Sequence, residues 1–168
     1  MAGALEQQRQ QTGSFHPMPV IGHPAAWYDR HVQQAEAAGD VHARASHKVG
    51  QYVTEAIDPK VPWDHKVKCF KHAIKHYSAA PEGADEGLKG FYKKLGDVVR
   101  KYAGNEALHE AQRFNAAAQK RVATGTERAS VEDEADDFYT HLLGHERTPE
   151  WCTKEVADQI ARLRQQWV

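Results

Sequence analysis

Apolar residues recur every three or four positions along most of this chain, the spacing that lines one face of an α-helix. From Ala25 to Ile57 the stripe is Trp27, Tyr28, Val32, Ala35, Ala38, Val41, Ala45, Val49, Tyr52, Val53 and Ala56. It is thin and rich in alanine, as suits a helix that pairs closely with another helix or lies along a partner. The spacing predicts one long helix over 25–58, with Gly39-Asp40 as the place for a kink or interruption and Asp58-Pro59 as its end.

Residues 62–78 carry two stripes. Trp63, Val67, Phe70, Ile74 and Tyr77 form the apolar one. His65, Cys69, His72 and His76 repeat the same spacing two residues later, and two residues turn a helix by roughly 200°. The first stripe therefore predicts a packed face and the second an opposite, solvated one.

Further helices follow. Pro81 with Glu82, Asp85 and Glu86 opens a face of Leu88, Phe91, Leu95, Val98 and Tyr102 that ends before Gly104. Asn105 caps a helix with Ala107, Ala111, Phe114, Ala118 and Val122, stopping near Gly125. Ser130-Val131-Glu132-Asp133 resembles a capping box, followed by Ala135, Phe138 and Leu142 up to Gly144. Thr148-Pro149-Glu150 opens the last helix, with Cys152, Val156, Ile160, Leu163 and Trp167 on its face. No segment alternates with period two, so no strand is expected. The chain reads as all-α: an extended N-terminal arm over 1–24, a long helix over 25–58, and a bundle or short array of helical hairpins over 59–168.

The arm adds a candidate surface. Thr12 to Pro24 holds three prolines and two glycines, which exclude a helix, yet Phe15, Met18, Val20 and Ile21 make it too apolar for an idle linker. It packs either on the chain's own helices or on a partner.

Composition narrows the function. The 168 residues are 40% hydrophobic and 27% charged, with a net charge of −1. No run approaches the ~18 apolar residues of a membrane span, and the N-terminal residues match neither a signal peptide nor a mitochondrial presequence. The two cysteines, Cys69 and Cys152, show no disulfide framework, as expected of reduced thiols in a cytoplasmic or cytoskeletal setting. Charge is uneven. Residues 60–104 carry ten Lys/Arg against five Asp/Glu, while 105–168 carry eight against twelve. Nucleic-acid binding lacks any helix-turn-helix, zinc-finger or aromatic-platform pattern to accompany that basic segment.

Candidate chemistry is sparse. His65, Cys69, His72 and His76 are zinc-type ligands at i, i+4 spacing, but one straight helix cannot surround an ion, and Lys66, Lys68, Lys71 and Lys75 flank them. Asp137, His141 and His145 read as an ordinary charged helix face, and Glu106-x-x-His109 is half a di-iron motif without its second copy. There is no Gly-x-Ser-x-Gly and no glycine-rich phosphate loop. Neither a cofactor nor catalysis is implied.

Two functions are carried forward. One is a non-enzymatic structural or adaptor subunit of a larger intracellular assembly, cytoskeletal or of the ciliary microtubule kind. It would bind acidic protein subunits through Phe15, Met18, Val20 and Ile21 of the arm and through Lys66, Lys68, Lys71 and Lys75. The other is a zinc-binding helical bundle, sensor or enzyme, built on the His/Cys stripe.

Overall fold

The computed structural model describes residues 16–168, and the chain is all-α as its periodicity predicts. Among the described residues there are six helices and no strands: α1 (Ala25–Ala37), α2 (Val41–Ala56), α3 (Trp63–Tyr77), α4 (Glu86–Ala123), α5 (Arg128–Leu143) and α6 (Lys154–Gln165). The described residues form two compact units, 16–99 and 100–168. Residues 86–99 of α4 fall in the first and 100–123 in the second.

The helix expected over 25–58 is two helices, and α1 packs on α2. Gly39 takes φ +68°, the left-handed conformation that glycine adopts without steric cost. Asp40 then restarts the chain as the N-cap of α2, its carboxylate accepting from Ala43 N at 3.0 Å. The break also puts Val41 on the outside, 59% exposed, although the continuous stripe had placed it inside.

The long helix lies further on. Gly104-Asn105 was expected to separate two helices, but α4 runs through it. A helical glycine costs about 1 kcal/mol relative to alanine, and here close packing offsets that cost. A Cβ on Gly104 would come within 3.1 Å of Val156 Cγ2. The helix begins later than Pro81 suggested, at Glu86, with Asp85 accepting from Leu88 N at 2.8 Å. Likewise α5 starts at Arg128, ahead of the expected capping box. Helix α6 starts at Lys154, where Thr153 accepts from Val156 N. The residues before it form a turn that buries Trp151 and Cys152.

The core of the first unit is built from Tyr28, Val49, Val53, Phe70, Ile74, Phe91, Leu95 and Val99, all buried. Residues 16–22 are laid on this unit. Ser46 Oγ donates to Pro17 O at 2.8 Å, Gly22 N donates to Thr54 Oγ1 at 2.9 Å, and the Tyr28 hydroxyl donates to Val20 O. Gly50 permits the approach, because a Cβ there would meet Val20 O at 2.6 Å.

The second unit is centred on Ala107, Ala111, Val131, Tyr139, Leu142, Trp151 and Ile160. One polar side chain, Asn115, is buried with them and organises them. Its Oδ1 accepts from Tyr139 OH and from Trp167 Nε1, and its Nδ2 donates to Leu163 O at 2.9 Å. A buried amide with each of these bonds made is a specificity device; with one removed it becomes a penalty.

Candidate functional site: the two sides of helix α3

Helix α3 packs on α2 and buries Lys66, Cys69, Phe70, Ala73 and Ile74. The inward face is therefore turned from the expected one. Phe70 and Ile74 are inside as predicted, whereas Trp63, Val67 and Tyr77 are only half-buried. Cys69, placed on the solvated stripe by its spacing, is 5% exposed, and Lys66 is 4% exposed.

Lys66 is thus a correction to the expected binding surface. Its ammonium donates to Ala56 O at 2.6 Å and to Asp58 O at 2.9 Å. These carbonyls lie at the C-terminal end of α2, where the helix leaves acceptors unfilled and the macrodipole is negative. The lysine stem crosses apolar surface to reach them. Spacing alone did not reveal this, because the demand for a donor arises on another helix.

The predicted His/Cys stripe divides into two groups. His65 and Cys69 face Glu55 from the last turn of α2. His65 Nε2 and Glu55 Oε1 are 2.8 Å apart, and one ligand atom from each of Glu55, His65 and Cys69 lies within 4.8 Å of the other two. Burial, the nearby Glu55 charge and a hydrogen bond to Glu55 push the Cys69 thiol up to about 11, against the opposing pull of Lys66. At that value it is a protonated thiol at neutral pH, unsuited to nucleophilic work. Cys152 is likewise raised by burial to about 11.

His72 and His76 form the second group, their rings 4.2 Å apart, with Tyr52 of α2 4.7 Å from His72. His72 is held below the ordinary histidine range by partial burial, then by His76, Lys48 and Lys75. Lys68, Lys71 and Lys75 are exposed on the same outward side. Lys48 reaches over the Tyr52 ring at 5.9 Å. No Asp or Glu occurs from His65 to Pro81.

The arm's candidates separate as well. Met18 and Val20 are 38% and 43% exposed, while Ile21 is half-buried against the chain's own helices. Phe15 lies outside the described residues.

Sequence reasoning missed Glu55, Lys48 and Tyr52. A signal for Glu55 was present: the short link from Ala56 to Trp63 returns the chain so that the last turn of α2 faces the first turns of α3. Elsewhere, Asp137, His141 and His145 line a shallow depression with Asp136 and Thr140. Among the described residues, Glu55, His65 and Cys69 are the set of three metal-type side chains that converges. No described helix is long and apolar enough to cross a membrane. Comparison with protein-family models, curated proteins and solved structures gives no match.

Proposed function

We propose that this chain is a non-enzymatic structural or adaptor subunit that docks on an acidic protein surface through the outward side of α3. One observation carries the reading. Lys68, Lys71 and Lys75, with His72 and His76, are exposed on a helix whose inward side is already filled by its own core. Lys68, Lys71 and Lys75 take no part in the core, unlike Lys66, and a carboxylate-free stretch from 65 to 81 leaves their positive charge uncompensated along the chain. Such a face attracts and orients an acidic partner and suppresses basic ones. Lys48 and Tyr52 extend it onto α2, adding an aromatic contact. Met18 and Val20 are the arm residues that remain free to add apolar area.

An acidic cytoskeletal lattice such as the microtubule is the partner to try first. The test is co-sedimentation of the purified chain with microtubules across a salt series. Binding should weaken as the screening length falls through about 10 Å near 0.1 M salt. The triple variant Lys68→Glu, Lys71→Glu, Lys75→Glu should lose binding while keeping its helical circular dichroism. A triple variant that pellets with the lattice as fully as the parent would refute the basic face as the docking surface.

A further inference from the structure

We propose that Glu55, His65 and Cys69 form a three-ligand site for a zinc-type divalent cation, with the fourth position open to water. The three side chains supply the carboxylate, imidazole and thiolate that such ions take, and they come from two helices. That arrangement removes the geometric objection to a metal on α3 alone. His65 and Cys69 stand four residues apart on α3, and Glu55 closes the third side from α2.

The distances suit the ion. Zinc bonds of about 2.0–2.3 Å at tetrahedral angles set ligand atoms roughly 3.3–3.7 Å apart. Here the atoms lie within 4.8 Å of one another, with His65 and Glu55 at 2.8 Å. The site closes on an ion when that pair spreads slightly and the remaining separations, each within 4.8 Å, settle into the same range. The burial pattern allows it: Cys69 is fixed inside, while His65 and Glu55 are about half exposed and can turn.

Charge balance supports the same conclusion. Glu55 and an ionised Cys69 would place two negative charges beside a neutral imidazole. Lys66 is the nearby cation, and its ammonium is held against the carbonyls of Ala56 and Asp58, whose negative ends offset its repulsion of an ion. On binding, a metal–sulfur bond replaces the sulfur–hydrogen bond and the proton passes to solvent. His65 Nε2 carries the proton it donates to Glu55 in the ion-free state, so the imidazole binds there as its other neutral tautomer, with that proton lost to solvent and Nδ1 taking one up, while the carboxylate binds through a lone pair. A mixed sulfur, nitrogen and oxygen set with an open position favours Zn²⁺ over Mg²⁺ or Ca²⁺, which take oxygen.

Cobalt(II) is the probe, added to the reduced, purified full chain. One equivalent should give the thiolate-to-cobalt charge-transfer band and tetrahedral visible bands, and Zn²⁺ should displace it. Cys69→Ser should abolish the charge-transfer band. Because Cys69 is buried, Glu55→Ala and His65→Ala serve as the decisive variants. Both sit on exposed positions, their folding is checked by circular dichroism, and each should weaken binding by at least about 100-fold, the upper range for losing even an outer-sphere partner. His72→Ala with His76→Ala should bind as the parent does. The proposal falls if the parent shows no charge-transfer band, if either exposed variant binds at parental affinity, or if the His72/His76 pair proves to be what holds the ion.

Discussion

Gly50 determines whether residues 17–22 can lie against α2, and Gly50→Ala tests the structure sharply. A Cβ at this position would stand 2.6 Å from Val20 O and 2.9 Å from Tyr28 Cε1. The first is backbone and the second belongs to a ring that is 1% exposed, so neither can swing aside. Two responses are open. If the arm stays, the overpacking costs about 1–3 kcal/mol. If it lifts, the bonds from Tyr28 OH to Val20 O and from Gly22 N to Thr54 Oγ1 are lost. At about 0.5–1.5 kcal/mol each, they come to a similar cost. Helix propensity returns up to about 1 kcal/mol for replacing glycine by alanine. With the middle of the cost at about 2 kcal/mol and about 1 kcal/mol returned by propensity, the net expectation is a loss of about 1 kcal/mol from a substitution that propensity alone would make stabilising.

Gly90→Ala is the matched control in the same unit. A Cβ at Gly90 meets nothing within 4 Å, so this variant should gain about 0.5–1 kcal/mol. Urea melts of the two proteins should move in opposite directions. Limited proteolysis should cut residues 17–22 faster in Gly50→Ala than in the parent. If both glycine variants raise the midpoint equally, the arm does not lie across Gly50 and its docking on the chain's own helices is wrong.

Three further outcomes are expected. Lys66→Met keeps the buried stem but removes the donor to Ala56 O and Asp58 O, and should cost about 1.5–3 kcal/mol, whereas Lys71→Met on the solvated side should change the melt by under about 0.5 kcal/mol; equal effects would return Lys66 to the surface. Asn115→Ala strands Tyr139 OH and Trp167 Nε1 in the second unit and should cost roughly 3 kcal/mol or more, against about 1 kcal/mol for Tyr139→Phe; a melt no worse than that of Tyr139→Phe would contradict the buried network. Partial burial, with His31 beside His47 and with His76, Lys48 and Lys75 beside His72, holds both histidines below 6.5, so the unfolded chain binds their protons more readily; the stability they contribute is complete above pH 6.5 and falls as pH drops through it, and a urea midpoint that stays constant or rises between pH 7.5 and 5.5 would refute this.

The all-α architecture was legible because a period of 3.6 is written into the apolar positions of every helix. Where helices begin and end was less legible, and two glycines show why. Gly39 breaks the chain because it sits at positive φ with Asp40 ready to cap the next helix. Gly104 does not, because Val156 needs the space a side chain would fill. The residue type is the same, and the deciding contact comes from a segment about fifty residues away in the sequence. The candidate site divided in a similar way. The solvated lysines 68, 71 and 75 and the outward histidines followed from spacing. Glu55 did not, since its role depends on how α2 and α3 meet.

Helix α3 makes the general reason concrete. Hydrophobicity assigns a side chain to core or solvent by its own transfer preference, and by that measure four lysines on one helix are equivalent. The folded chain distinguishes them by where unfilled acceptors lie. The C-terminal carbonyls of α2 demand donors, the short link brings them over the first turns of α3, and Lys66 is the lysine whose stem points there. Lys66 lies on the same side of α3 as Phe70, Ala73 and Ile74, at the i, i+4, i+7, i+8 spacing of one helix face. Cys69 is inside with them, Trp63 and Val67 lie toward the edge, and Glu55 faces His65 and Cys69. The outward side is then left to Lys68, Lys71, Lys75, His72 and His76. The buried Phe70, Ala73 and Ile74 and the Lys66 ammonium thus share one inward side of α3, and that orientation separates the residues available to a metal ion from those available to a partner.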